Sequence, residues 1–497
     1  MSFISIILMS LYAIGMLAIF IYTIGQVHLV YQYFSKRGTT SDEVPDWSDK
    51  RPEDFPQVTV QLPVYNERYV INRLIKSVAD FNWPKDKLEI QVLDDSTDDT
   101  VEIIAQKVGE LQKQGLDITH VQRDSREGYK AGALEYGMQR AKGEFIAIFD
   151  ADFKPHSDFL MNTVPCFENE DIGMVQTRWT HLNQDYSLLT KMQAFALNAH
   201  FTVEQKGRNR AGYFMNFNGT AGVWRRSCIE DAGGWEHDTL TEDLDLSYRA
   251  QMKGWEFIFL EDVVSPAELP VAISALKTQQ YRWTKGAAEA ARKHLSNVWK
   301  TDSPLIKKIQ ASSHLLSSSV FLFILLISVL SVPLLWLKSV QPELGPFFVA
   351  ASFFVIALFG WLLFYGAPFV RDEGLTWQKL KQLSYMFPIF LALSMALSVH
   401  NSIAVIRGYA GKASPFVRTP KFNITKLSDS WSDNKYLIKK LDAVSIVEGL
   451  LALYFLGGIV LGFVIGDLGM VPFHLLLFFG FGTFFFYSVY EKMLKTV

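Results

Sequence analysis

"EFIAIFDADF", residues 144–153, holds four strongly apolar positions, Phe145, Ile146, Ile148 and Phe149, and then two carboxylates one residue apart, Asp150 and Asp152. A short apolar run bounded by polar residues predicts a buried strand over 144–150. Three other runs share the pattern: "QVTVQLPV" (57–64), "LEIQVLD" (88–94) and "ITHVQR" (118–123). Helical patterns separate them at about 67–80, 97–114 and 128–141. Strands alternating with helices of this length imply a parallel sheet with helices on both faces. In such sheets ligands gather beyond the carboxyl ends of the strands, and the polar clusters of this sequence fall there.

The first cluster is "LPVYNE", with Pro63, Tyr65 and Glu67; the second is "LDDSTDDT", with Asp94 and Asp95; the third is Asp150 and Asp152. Acidic residues after a strand often cap the next helix, which would explain any one cluster alone. Three carboxylate-rich ends in one sheet call for a counter-ion, because clustered carboxylates repel. Asp-x-Asp sets two hard oxygens on one side of an extended strand, where Mg2+ or Mn2+ could be held together with phosphate oxygens. The chain has no G-x-x-x-x-G-K-[ST], which disfavours a P-loop phosphotransferase. Phosphates would instead meet the metal and a cation such as Lys130 in "REGYKAGAL". A fourth cluster, "TLTEDLDLSYR", offers Glu242, Asp243 and Asp245. It reads equally as a capped helix start and as the seat of a general base.

Composition partitions the chain. Of 497 residues, 49% are hydrophobic and 38 are Phe, so a purely soluble chain is not expected. The formal charge of −3 suggests no nucleic-acid partner. Only Cys166 and Cys228 are present and neither belongs to a C-x-x-C pair, so neither a disulfide framework nor a zinc site is expected and a reducing compartment fits. Residues 4–33 read as a signal anchor ending at Lys36 and Arg37. Apolar runs return at about 313–337, 346–370, 383–406, 442–465 and 469–490. Segments 371–382, with three cations, and 407–440, with eight, both belong inside by the positive-inside rule. The stretch between them then cannot cross once, and is expected as an interfacial or re-entrant helix; six spans with one charged loop outside is the alternative. The expected layout is an anchor (1–37), a cytoplasmic catalytic domain (38–310), and a membrane region (311–497) with an interfacial helix (383–410) and a basic loop (412–440). Glu448, six residues into a span, is expected to face the interior, lining a polar path or pairing with Lys439 or Lys440.

Asp95, "DAD" (150–152), "TED" (241–243) and Gln279-x-x-Arg282-Trp283, in that order, resemble glycosyltransferase family 2, in particular the cellulose synthase-like proteins of plants that make mannan, glucomannan and the xyloglucan backbone. More distantly the pattern resembles bacterial cellulose synthase and hyaluronan synthase. "FNGTAGVWRR", "AGGWEHDTLTEDLDLSYRA" and "KGWEFIFLEDV" agree in the same order, over roughly residues 55–300. The resemblance implies an α/β GT-A (Rossmann-like) catalytic domain plus an all-α transmembrane region. It implies an inverting, processive hexosyltransferase that uses UDP-glucose or GDP-mannose to extend and translocate a β-linked (β-1,4) glucan or mannan. Pro63, Tyr65, Glu67, Asp94, Asp95, Lys130, Asp150, Gln279 and Arg282 would bind the nucleotide sugar, and Asp150 and Asp152 the metal. Asp243 would be the base, beside Glu242. Trp283, Asn218, Gly219 and Thr220 would form the acceptor side, with Arg225 or Arg226 structural. "FVRTPK" (416–421) resembles a gating loop that would bring Arg418 or Thr419 to the diphosphate. Membrane lipids and an accessory export subunit are the implied partners, and an inner, plasma or Golgi membrane the implied location. "TKGAAEAARKH" departs from the plant pattern and leaves acceptor and product identity open. One alternative is transfer of a single sugar to a lipid, as in ceramide or polyprenyl-phosphate enzymes; another is a non-enzymatic scaffold.

Overall fold

The computed structural model describes residues 3–35, 44–371, 374, 376–412, 414–432, 434–437 and 441–493. Lys36, Arg37, Lys439 and Lys440, which carry part of the orientation argument, lie outside the described residues.

Among the described residues, seven strands form one sheet: β1 Val58–Val64, β2 Leu88–Asp94, β3 Asp117–Gln122, β4 Phe145–Ile148, β5 Ile172–His181, β6 Gly222–Arg225 and β7 Glu256–Ala267. Their spatial order is β3-β2-β1-β4-β6-β5-β7. The first four are parallel to one another, as the sequence predicts, with Val60 opposite Ile90 and Ala147. The sheet as a whole is mixed, because β6 runs antiparallel to both β4 and β5. The sharp turn at Asn218–Ala221, where Gly219 has φ +79° and Ala221 φ +55°, sends the chain back along β4.

Alternation along β4 divides the core. Phe145, Ala147 and Phe149 face a cluster with Val58, Val60, Leu62 and the helices Ile71–Ala79 and Thr100–Gln112. Ile146 and Ile148 face the opposite cluster, with Leu134 and Met138 of helix Tyr129–Met138. Period-two strands thus bury both faces, each large aliphatic side chain contributing about 1.5–3 kcal/mol by leaving water. With both faces covered, the open ends of β1, β2 and β4 are where polar side chains can collect.

Among the described residues, five helices are long and apolar enough to cross a membrane: Phe3–Ser35, Ser317–Val340, Pro342–Val370, Ala443–Ile465 and Val471–Met493. The chain is therefore an integral membrane protein. Between the third and fourth lies a pair, Trp377–Ala396 and Ser398–Tyr409, bent by 49°. A 28-residue helix, Ile273–Lys300, joins the two halves. The Ser398–Tyr409 helix lies close against it, since a Cβ at Gly408 would sit 2.7 Å from the Lys285 carbonyl. Glu491, on the last membrane helix, accepts from the backbone N–H groups of Ile273 and Ser274 and so caps the joining helix.

Candidate active site

Three cavities run in series from the open strand ends into the membrane helices. The outer one is lined by Pro63, Tyr65, Glu67, Asp95, Arg126, Tyr129, Arg418 and Thr419. It shares Lys130, Asp150, Asp152, Arg282 and Lys421 with a middle cavity that adds Asn218, Gly219, Glu242, Asp243, Gln279 and Trp283. The middle one shares Leu197, Gln279 and Trp283 with an inner, more apolar cavity among membrane helices, lined also by Phe321, Tyr365, Phe390 and Phe484.

Each carboxylate of the outer cavity has its own cation. Asp95 receives Arg123 at two nitrogens, 2.9 and 2.5 Å. The Lys130 ammonium lies 2.6 Å from Asp150 and 2.7 Å from the Gly219 carbonyl. Burial alone would lower the Lys130 pKa; Asp150 and Glu242 more than offset it, and the ammonium is held above its usual range. Two partners come from the basic loop: Arg418 lies 3.0 Å from Glu67, and Lys421 lies 2.6 Å from Asp152. Burial pushes the Glu67 carboxyl up to about 7, against the pull of Arg418 and Lys421. Phe416 stacks on Tyr129 at 5.7 Å and lies under the Arg282 guanidinium at 4.7 Å. The loop thus roofs the cavity.

Asp243 stands at the start of helix Glu242–Met252. Burial and the neighbouring Glu242 carboxylate push its carboxyl up to about 7, against Lys130 and Arg282. Oδ1 accepts from the Leu244 N–H at 2.8 Å. Gly219 is needed opposite: a Cβ there would lie 2.9 Å from Asp243 Oδ2. A partly buried carboxyl poised near neutrality in a cleft is suited to proton transfer. Strain gathers here too. The four described non-glycine residues with positive φ are Asn66, Tyr129, Ala221 and Asn423; Tyr129 lines the outer cavity, and Asn66 lies between Tyr65 and Glu67, which also line it.

Most of the residues singled out from sequence come together, and two have other surroundings. Asp94 lines none of these cavities; its oxygens face the Ser96 N–H at 2.9 Å and His120 at 2.8 Å, so it shapes the turn after β2. Thr220 is 1% exposed, and its hydroxyl accepts from the Asp150 N–H at 2.9 Å, supporting that aspartate from behind. Arg225 binds the carbonyls of Phe167 and Ile172, and Arg226 that of Ala141. Glu448 faces the interior but does not line the inner cavity; Lys277 meets it at 2.6 Å, with Ser445 and Ser488 around the ammonium. Sequence reasoning missed Arg126, Trp179, His181 and Glu268. Arg126 covers the Tyr65 ring at 3.4 Å, and the others line the middle cavity. Glu268 and His181 stand at or just beyond the ends of β7 and β5, so strand-end position was the available signal. Among the described residues, Glu236, Asp238 and Asp245 also bring carboxylates close together. Lys293 lies within 2.8 Å of all three, so they form an ion-pair network.

Asp150 and Asp152 stand just past the end of β4, and Asp243 lines the same cleft. Residues 56–286 match the family described as glycosyltransferase like family 2. A probable glucomannan 4-beta-mannosyltransferase of Oryza sativa is 42% identical over 289 residues, covering 57% of this chain and 52% of that protein. Glucomannan 4-beta-mannosyltransferase 1 of the same species is 46% identical over 249 residues, 49% and 48% of the two chains. The chain spans about half the length of the curated relatives it matches. In fold it is similar to a mannosyltransferase from Pyrobaculum calidifontis solved with GDP-Man and Mn2+, at 20% identity and a TM-score of 0.56, over 81% of this chain and all of that one.

Proposed function

We propose that this protein is an inverting, processive hexosyltransferase that extends a β-1,4-linked polysaccharide and passes it into its own membrane helices. Mannose from GDP-mannose is the first donor to test, given relatives named as glucomannan 4-beta-mannosyltransferases; UDP-glucose is the second. The observation that carries the reading is the shared wall between cavities. Gln279 and Trp283 line both the middle cavity, where Asp243 stands, and the inner one among the membrane helices.

Asp243 takes the proton of the acceptor hydroxyl. That oxygen bonds to the anomeric carbon as its bond to the diphosphate breaks, inverting an α-linked donor to a β-linkage. Lys130 and Arg282 meet the leaving diphosphate, Arg282 with a planar fork of donors suited to phosphate. Trp283 gives the acceptor sugar a flat apolar platform. The carboxylates of Asp150 and Asp152 are hard oxygen donors, and each already meets one ammonium in the same cleft. They fit Mg2+ or Mn2+, which when bound would neutralise diphosphate charge. The catalytic domain lies on the cytoplasmic side, by the cation count of segments 371–382 and 407–440.

Purified protein in nanodiscs with Mn2+, offered radiolabelled GDP-mannose, UDP-glucose, UDP-galactose and UDP-N-acetylglucosamine separately, tests the assignment. Incorporation from GDP-mannose or UDP-glucose into insoluble product is expected. Incorporation from neither removes the reading.

A further inference from the structure

Lys421 comes from the membrane half of the chain, yet its ammonium lies 2.6 Å from Asp152 Oδ2. Both side chains are well covered, 13% and 6% exposed. The placement is held from several sides. Glu268 accepts from the backbone N–H groups of Phe422 and Asn423 at 2.8 and 2.9 Å. Arg73 donates to Asn423 Oδ1 at 2.7 Å and to the Asp152 carbonyl at 3.1 Å. Asn434 donates to the Lys421 carbonyl at 2.9 Å.

Charge decides what this contact does. Four carboxylates of the donor side, Asp95, Asp150, Asp152 and Glu67, are each matched by one cation. Arg123 and Lys130 belong to the catalytic domain, and Arg418 and Lys421 belong to the loop. A divalent metal on Asp152 would meet the Lys421 ammonium at the same oxygen, and like charges that close in a buried cleft repel strongly. A diphosphate brings negative charge and gives the displaced ammonium a new partner.

Resting on the nucleotide-sugar reading above, we propose that Lys421 is a tethered cation that occupies the metal carboxylate Asp152 in the donor-free protein. It competes with metal alone and yields to metal together with diphosphate. The loop then ties metal binding to donor binding, and the carboxylate pair is not left open to free cations.

Mn2+ binding to the full-length protein in detergent, read from the free-ion EPR signal, tests this without any turnover. Wild type should bind Mn2+ weakly alone and more tightly with GDP or UDP. Lys421→Met should tighten binding of Mn2+ alone by roughly tenfold, the gain expected if the pair is closed in about nine molecules of ten. The added gain from nucleotide should shrink. Lys435→Met, which changes a loop lysine paired to Asp98 and Asp99, should leave Mn2+ affinity as in wild type. Equal or weaker Mn2+ binding by Lys421→Met overturns the proposal. In the wild type itself, acylation of Lys421 followed by mass spectrometry should rise as Mn2+ saturates without nucleotide; an unchanged yield also overturns it. Failure of both GDP and UDP to bind wild type in saturating Mn2+ would instead overturn the nucleotide-site reading on which the proposal rests.

Discussion

The Arg418 guanidinium lies 3.0 Å from the Glu67 carboxylate, joining a loop of the membrane half to the turn just after the first strand of the sheet. Both side chains are largely buried, and Arg418 also covers the Tyr436 ring at 3.9 Å. The outer cavity is therefore closed by residues far apart in the sequence. A hydrogen bond from Arg418 to a bound diphosphate would be worth about 1.5–3 kcal/mol. Arg418→Met should weaken GDP or UDP binding about 10- to 100-fold by equilibrium titration, with the fold retained. Unchanged nucleotide affinity would remove the loop from the donor site.

Asp243 sets the expected pH dependence. Only its ionised form can take the acceptor proton, and its carboxyl is pushed up to about 7 by burial and by Glu242. The rate at low acceptor concentration should fall about tenfold per pH unit below that value and level off above it. Stability runs the opposite way. The folded carboxyl keeps its proton up to about pH 7, whereas the ordinary value is 3.8. Its stabilising contribution is present below that ordinary value and is lost as pH rises through 7. Asp243→Asn should lower transfer about 10²- to 10⁴-fold while nucleotide binding persists; full activity would sink the general-base role.

Trp283 lines the middle and inner cavities but not the outer one. Trp283→Ala should raise the acceptor KM roughly tenfold or more, as loss of an apolar contact of about 1.5–3 kcal/mol implies. Donor affinity should barely move. A change confined to the donor would contradict the platform role.

Lys277 and Glu448 hold the joining helix to the membrane helices, at 2.6 Å with side chains 7% and 0% exposed. Removing one partner strands the other charge. Lys277→Met alone should destabilise the protein by about 3–5 kcal/mol, and the double variant Lys277→Met/Glu448→Leu should recover much of that. Thermal unfolding in detergent reads both; no difference between single and double variants would refute the pairing.

How much of this was legible from sequence depends on range. The first four strands were readable because each is a short apolar run ended by polar residues, and β4 carries Asp150 and Asp152 directly after it. Strand β6 has only two large apolar side chains, Val223 and Trp224, between Gly222 and Arg225, and β7 carries Glu261 and Asp262 within it, so neither gave a clear apolar run. Asp94 and Asp95 looked equivalent in the sequence. Alternation along a strand turns neighbours to opposite sides, and only Asp95 reaches the cavity. Motif order picked out Asp243, Arg282 and Trp283, whose surroundings are set by short local segments. Lys277–Glu448, 171 residues apart, and Lys421–Asp152, 269 apart, are made by packing of distant elements. No local pattern encodes them, so Glu448 could be read as buried but not as paired with Lys277.

The most direct measurement is the size and fate of the product made by purified protein in sealed vesicles with its catalytic domain outward, from radiolabelled GDP-mannose and, separately, UDP-glucose. A long polymer is expected, cut by an endo-β-1,4-mannanase or glucanase once the vesicles are opened and largely protected while they are sealed. A product of one sugar that partitions into organic solvent, or a long polymer fully accessible in sealed vesicles, would contradict it.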